Sequence, residues 1–140
     1  MAISCKTSWP LLAVLCAAAV VADQSPSDGA PVKADISEEG VQKALKFAIA
    51  EYNKGNNDVF FSKPVRVIDV KKQVVEGMKY IITVEMGRTA CRKGTEGNLE
   101  VCAIYNDPQL AKTKRCTFEV WSRPWLTDIR MLKNTCQKNA

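Results

Sequence analysis

The sequence predicts an α+β domain in which one helix is followed by an antiparallel sheet. Three observations predict it. A single apolar stripe of helical period occupies residues 38 to 54. After it the pattern changes to β-branched and aromatic runs separated by turn residues. Nothing later in the chain returns to a long helical period, so a helix covering one face of a sheet is the layer arrangement left.

The first residues are not expected to belong to the fold. Lys6 is the only charge before Asp23, and Leu11 to Ala22 is an unbroken run of apolar and small residues ending Val20-Val21-Ala22. This is the form of a secretory signal peptide, residues 1–22. A membrane span needs roughly 20 apolar residues, more than this run provides. Removal leaves one domain, residues 23–140, with 118 residues and no membrane association. Residues 23–36 read as an extended N-terminal arm. They carry Ser25-Pro26-Ser27-Asp28-Gly29 and Pro31, with little to bury.

The helix is expected from about 38 to 54. Ser37 is placed to cap it, and Glu38 and Glu39 suit the positive end of its dipole. Val41, Ala44, Leu45, Ala48, Ile49 and Tyr52 form its apolar face, and Lys43, Lys46 and Glu51 its polar face. Lys54 to Asp58 should end it, with Gly55, Asn56 and Asn57 as residues that tolerate a left-handed conformation. Val59 to Val70 reads as a strand with Val65, Val67 and Asp69 on one face and Arg66, Ile68 and Val70 on the other. Tyr80 to Met86 alternates more cleanly, with Tyr80, Ile82, Val84 and Met86 facing one way. Gln73 to Gly77 lies between these strands at a natural hairpin position. Residues 92–115 are polar and read as an irregular excursion. Thr117 to Trp121 and Ile129 to Leu132 are short strands joined through Ser122-Arg123-Pro124-Trp125.

Composition removes whole classes of function. The chain contains no histidine, so no Ser-His-Asp or Cys-His catalytic arrangement can be assembled from it. The fifteen acidic residues offer no marked pair for carboxylate chemistry. The reading is not an enzyme, and no cofactor or metal is expected. Once Cys5 and Cys16 leave with the signal segment, Cys91, Cys102, Cys116 and Cys136 remain. An even number in a small secreted chain reads as two disulfides, with three connectivities open. Without histidine or a CxxC pair, mixed zinc sites are unavailable. With Lys6 removed, nineteen Lys and Arg stand against fifteen Asp and Glu, a net charge of +4. The basic clusters at Lys71-Lys72, Arg92-Lys93 and Lys112 to Arg115 lack interleaved aromatics, so nucleic acid is not expected as a partner. No Asn-x-Ser/Thr sequon occurs.

Two turns carry apolar groups where loops usually carry polar ones: Gln73-Val74-Val75-Glu76-Gly77 and Pro124-Trp125. Singly, each has an ordinary explanation in packing or turn formation. Together with Gly40-Val41-Gln42, Glu51-Tyr52-Asn53, Gly87-Arg88-Thr89 and the four cysteines, they form a pattern. From the helix through Cys136 the chain resembles the type 2 cystatins, and the QxVxG motif with Pro-Trp about fifty residues later is the most specific part.

The resemblance implies a five-stranded antiparallel sheet wrapped around the helix. It implies disulfides Cys91–Cys102 and Cys116–Cys136. It also implies reversible inhibition of papain-like cysteine proteases, such as lysosomal cathepsins, by a monomer acting outside the cell. The implied wedge consists of the arm at Gly29 and Ala30, the first hairpin at Gln73, Val74, Val75, Glu76 and Gly77, and the second at Pro124 and Trp125. Ala30 stands where the family's second arm glycine would be, which leaves Gly29 to make the bend. Asn57 before Asp58 resembles the family's separate site for legumain-type proteases, although Asn56 replaces the usual Ser or Thr before it. The alternative is a secreted protein of the same fold with weak or lost inhibition, acting as a binding or antimicrobial module.

Overall fold

A computed structural model of the chain describes residues 29–94 and 99–138. The expected signal peptide and residues 23–28 of the arm lie outside the described residues. Of the arm, Val32–Lys33 forms a short strand, β1. The helix α1 follows at Glu39–Gly55. Then come β2, Phe60–Val75, and β3, Gly77–Arg92. A 3-10 turn at Leu99–Val101 and a short helix α2, Pro108–Ala111, lead to β4, Lys114–Arg123. A second 3-10 turn at Pro124–Leu126 precedes β5, Asp128–Lys138. The five strands form one antiparallel sheet in the order β1-β2-β3-β4-β5.

The expected helical stripe builds the core. Val41, Ala44, Leu45, Ala48 and Tyr52 are buried against Val70 of β2, Ile82, Val84 and Met86 of β3, and Cys116, Phe118 and Val120 of β4. The Tyr52 ring meets Phe118 edge-on at 6.0 Å between centroids. Ile49 packs at the margin of this cluster. The clean alternation expected for Tyr80 to Met86 appears as drawn, because every second residue faces the helix.

The faces of β2 differ from expectation. Register shifts fall between Phe60 and Ser62, Pro64 and Arg66, and Val67 and Asp69. The second and third each insert one extra residue in β2 and re-aim the chain, whereas the first leaves two extra residues in β3. Val67 pairs with Val84 and Val70 with Ile82, so both turn toward the helix, whereas Val65 is exposed. A strict period of two had put Val67 and Val70 on opposite faces. Bulges also bend a strand, and here they let this sixteen-residue strand curve around α1.

Both helix ends also depart from expectation. Ser37 does not cap α1: its backbone N–H and its hydroxyl both donate to Asp35 Oδ1 at 2.8 Å. Glu38 instead reaches back, accepting from the Asp35 N–H at 3.0 Å, and its other carboxylate oxygen takes Lys72 Nζ of β2 at 2.7 Å. At the far end Asn56 is extended, with φ −99°, so no left-handed residue is used. The buried side chain of Asn53 joins helix to sheet. It donates to the Ile49 and Ser62 carbonyls and accepts from the Ser62 N–H at 2.9 Å. Gly40 is required by a close approach: a Cβ there would lie 2.1 Å from the Tyr80 hydroxyl.

The excursion at 92–115 contains more structure than its composition suggested. Asp107 caps α2 by accepting from the Gln109 N–H at 2.9 Å, and Ile104 bridges to Thr89. A disulfide joins Cys91 to Cys102, and a second joins Cys116 to Cys136 across neighbouring strands.

Candidate functional site

The β2–β3 connection is minimal. Val75 pairs with Gly77, and Glu76 alone lies outside the strands. Gly77 has φ +91°, which side chains disfavour. A Cβ at Gly77 would also lie 2.3 Å from the Ser122 carbonyl oxygen and 2.9 Å from Arg123 Cγ. The glycine therefore lets the first hairpin press against the start of the second. At the tip, Val74 is 57% exposed, Glu76 is exposed and Val75 is half-buried.

The second hairpin is built by Pro124, whose fixed φ starts a 3-10 turn, and by Thr127, which closes it in a left-handed conformation. The Thr127 N–H returns to the Pro124 carbonyl at 3.0 Å. Arg123 and Asp128 face each other across the base of the loop and form an ion pair. Hydrogen bonds from Arg123 and Arg130 hold the Asp128 carboxyl below its ordinary value. The loop carries Trp125 outward at 61% exposure, with Leu126 beside it at 54%.

Trp121 couples the two hairpins. Its indole N–H donates to the Glu76 carbonyl at 2.7 Å, and the Arg123 guanidinium lies 4.3 Å over its ring. A continuous chain of contacts thus runs from the first tip through Trp121 and Arg123 to Asp128. The motif pattern singled out neither Trp121 nor this charge pair. The alternation of β4 places Trp121 on the outer face, but the carbonyl it meets belongs to a turn forty-five residues earlier.

The arm joins the same end. The Gly29 N–H donates to the Val74 carbonyl at 3.2 Å, and Gln73 Nε2 donates to the Gly29 carbonyl at 2.8 Å. Gly29 and Ala30 are both exposed. Neither has a positive φ, so the left-handed bend expected at Gly29 is not formed. The structure therefore brings together Gly29, Ala30, Gln73, Val74, Val75, Glu76, Gly77, Pro124 and Trp125 in the order arm, first hairpin, second hairpin. Gln73 points sideways to the arm and not outward from the tip.

Asn57 lies at the opposite end of the sheet, in the connection from α1 to β2, and is exposed. Its neighbours are held. The Asn56 side chain accepts from the Asp58 N–H at 3.1 Å and from Lys93 Nζ. Asp58 accepts from Arg88 Nε at 2.8 Å and from the Phe60 N–H at 3.0 Å. Partial burial raises the Asp58 carboxyl, but the Arg88 and Phe60 hydrogen bonds and the nearby Arg88 and Lys93 charges outweigh it, and the net shift is downward. Beside Asn57 runs a groove of about 890 Å³ lined by Ile49, Phe61, Pro64, Leu99, Lys46 and Lys63 among others.

Among the described residues no group of three or more His, Cys, Asp or Glu side chains could hold a metal. The arrangement offers rigid apolar tips and no activated nucleophile. The family model described as Cystatin domain matches residues 29–125. A rainbow trout (Oncorhynchus mykiss) protein named Cystatin is 47% identical over 129 residues, covering 92% of this chain and 98% of its own. Cystatin-C of the rat (Rattus norvegicus) is 43% identical, and the match covers 100% of both chains. Among solved structures, dimeric human cystatin F superposes with a TM-score of 0.73 at 30% identity, covering 84% of this chain and 93% of that one. With that sheet, helix and pair of disulfides, the chain belongs to the cystatin family, protease inhibitors and not enzymes, in its two-disulfide type 2 branch.

Proposed function

We propose that this chain is a secreted, reversible inhibitor of papain-like cysteine proteases, lysosomal cathepsins among them. In this reading the arm at Gly29 and Ala30, the hairpin Gln73 to Gly77 and the loop at Pro124-Trp125 enter the protease cleft as one wedge. The observation that carries it is the set of apolar groups left exposed at one end of a rigid sheet. Val74, Trp125 and Leu126 are each more than half exposed and lie on adjoining hairpins. A monomer has no internal reason to leave them in water. Secretion is supported by the two disulfides and by the apolar segment at residues 1–22.

The wedge requires no chemistry from the inhibitor. Apolar tips gain roughly 25 cal/mol for each Å² buried in the cleft. Trp125 offers a large, stiff ring of the kind that dominates interface energetics. Because both hairpins are fixed by the sheet and by the Trp121–Glu76 hydrogen bond, little conformational freedom is lost on docking. The exposed Glu76 carboxylate remains at the rim and contributes to target choice.

The test is titration of the chain from Asp23 onward against papain and lysosomal cathepsins. Trp125→Ala should weaken binding by about 2 kcal/mol or more, close to thirtyfold, with an unchanged Tm. Undiminished inhibition by the folded variant would rule out the wedge. A wild-type chain that inhibits none of these proteases would favour the non-inhibitory binding module.

A second reading is a separate site for legumain-type proteases at Asn57. It is favoured by an exposed asparagine presented between two residues whose side chains are tied down. Wild-type chain that leaves legumain uninhibited at micromolar concentration would dispose of it.

A further inference from the structure

We propose that Gln73 is a positioning residue that clamps the N-terminal arm to the first hairpin, so that the two enter the protease cleft as a single preformed unit. The proposal rests on the inhibitory reading above and assigns the motif glutamine a task inside the inhibitor. The geometry is specific. The β1–β2 ladder runs through Val32 with Lys72 and Lys33 with Lys71. Regular pairing ends there, although the arm must still follow the hairpin to its tip; Pro31 is the next residue outward, where the alternation of the ladder would turn an N–H away from β2.

Two hydrogen bonds resume the connection beyond the proline. The Gly29 N–H reaches the Val74 carbonyl at 3.2 Å, and the Gly29 carbonyl receives Gln73 Nε2 at 2.8 Å. Both polar groups of one peptide residue are thus held by adjacent residues of β2. The second bond needs a side chain that donates and reaches past the strand edge. Glutamine meets both requirements. Glutamate has the same length but presents only acceptor oxygens to the Gly29 carbonyl, and alanine has no reach. Gly29 itself needs no unusual conformation, since its φ is not positive and an added Cβ would meet only Val74 Cβ at 4.0 Å. What holds the arm is the glutamine amide and not glycine's freedom.

The clamp predicts a thermodynamic cycle. In the chain from Asp23 onward, Gln73→Glu should raise the dissociation rate from papain roughly fivefold to tenfold, the loss expected for one such bond plus the loosened arm. In a chain lacking residues 23–30 the same substitution should raise that rate by a clearly smaller factor, because there is no arm left to hold and only its direct effect in the cleft remains. Gln73→Ala provides the neutral variant in both backgrounds. Independently of any protease, Gln73→Glu should speed hydrogen exchange at the Gly29 amide in the free protein while leaving the Ile82 and Val84 amides of β3 unchanged. An equal loss with and without the arm would place Gln73 in direct contact with the protease and overturn the clamp. So would unaltered exchange at Gly29. If the wild-type chain inhibits no papain-like protease but Gly29 exchange responds as stated, the inhibitory reading fails and the clamp within the free molecule stands.

Discussion

At Gly77 a φ of +91° coincides with an approach that would put a Cβ 2.3 Å from the Ser122 carbonyl oxygen. The obstacle is backbone, and it belongs to the neighbouring hairpin, so no rotamer change can relieve it. Gly77→Ala should therefore destabilise by about 1–3 kcal/mol from the conformation alone, lowering Tm by roughly 5–15 °C, and weaken protease binding by displacing both tips. Gly55 provides the opposite sign. It ends α1 without a positive φ, and a Cβ there meets nothing within 4 Å. Gly55→Ala should stabilise by about 0.5–1 kcal/mol, seen as a raised Tm with inhibition unchanged. A Tm for Gly77→Ala equal to that of wild type would show that the two hairpins are not locked at this contact. The motif made Gly77 conspicuous in the sequence, as the last residue of the implied first hairpin. The close neighbour is Ser122, a contact across forty-five positions that no local pattern encodes.

Elements were legible where a single periodicity ran uninterrupted. The stripe of α1 and the alternation of β3 needed only spacing, because each packs one continuous face. The faces of β2 were hidden because its bulges reset the period, leaving Val67 and Val70 three apart on one face. The cap at Ser37 was misplaced because Asp35 captures both the Ser37 hydroxyl and its N–H first. The β4–β5 connection carries the pH prediction. Arg123 and Arg130 hold the Asp128 carboxyl below its ordinary value of 3.8. A group depressed in this way stabilises the fold fully above its unfolded value, and the contribution disappears as pH falls through the folded one. Asp128→Asn should therefore melt below wild type at pH 7 and equally so at pH 5. The gap should close only under stronger acid. Melting curves from pH 7 to 2 test this, and a gap already closed at pH 5 would mean that the ion pair does not hold the second hairpin.

At the scale of the whole molecule, the two candidate sites lie at opposite ends of one sheet. Strand β2 begins beside Asn57 and finishes at the first hairpin, sixteen residues that span up to about 50 Å if fully extended. Occupancy at one end therefore leaves the other open. Asn57→Lys should abolish legumain inhibition and alter papain inhibition less than twofold, and the wild-type chain should form a complex containing both proteases on size-exclusion chromatography. Competition between the two would place them on one surface. The sheet order has a kinetic consequence as well. Strands β2 to β5 pair strictly in the order of synthesis, each with the one before it, and no connection crosses the sheet. Contacts of short sequence separation form early and rapidly, since little loop-closure entropy opposes them. Two pairings span longer separations: β1 joins Val32 to Lys72 across the helix, and β3 joins Met78 to Ser122 across the excursion. Both disulfides close spans of 11 and 20 residues within this progression. A chain emerging from its N-terminus can thus assemble each hairpin as it is completed, and the arm needs only the first of them to dock.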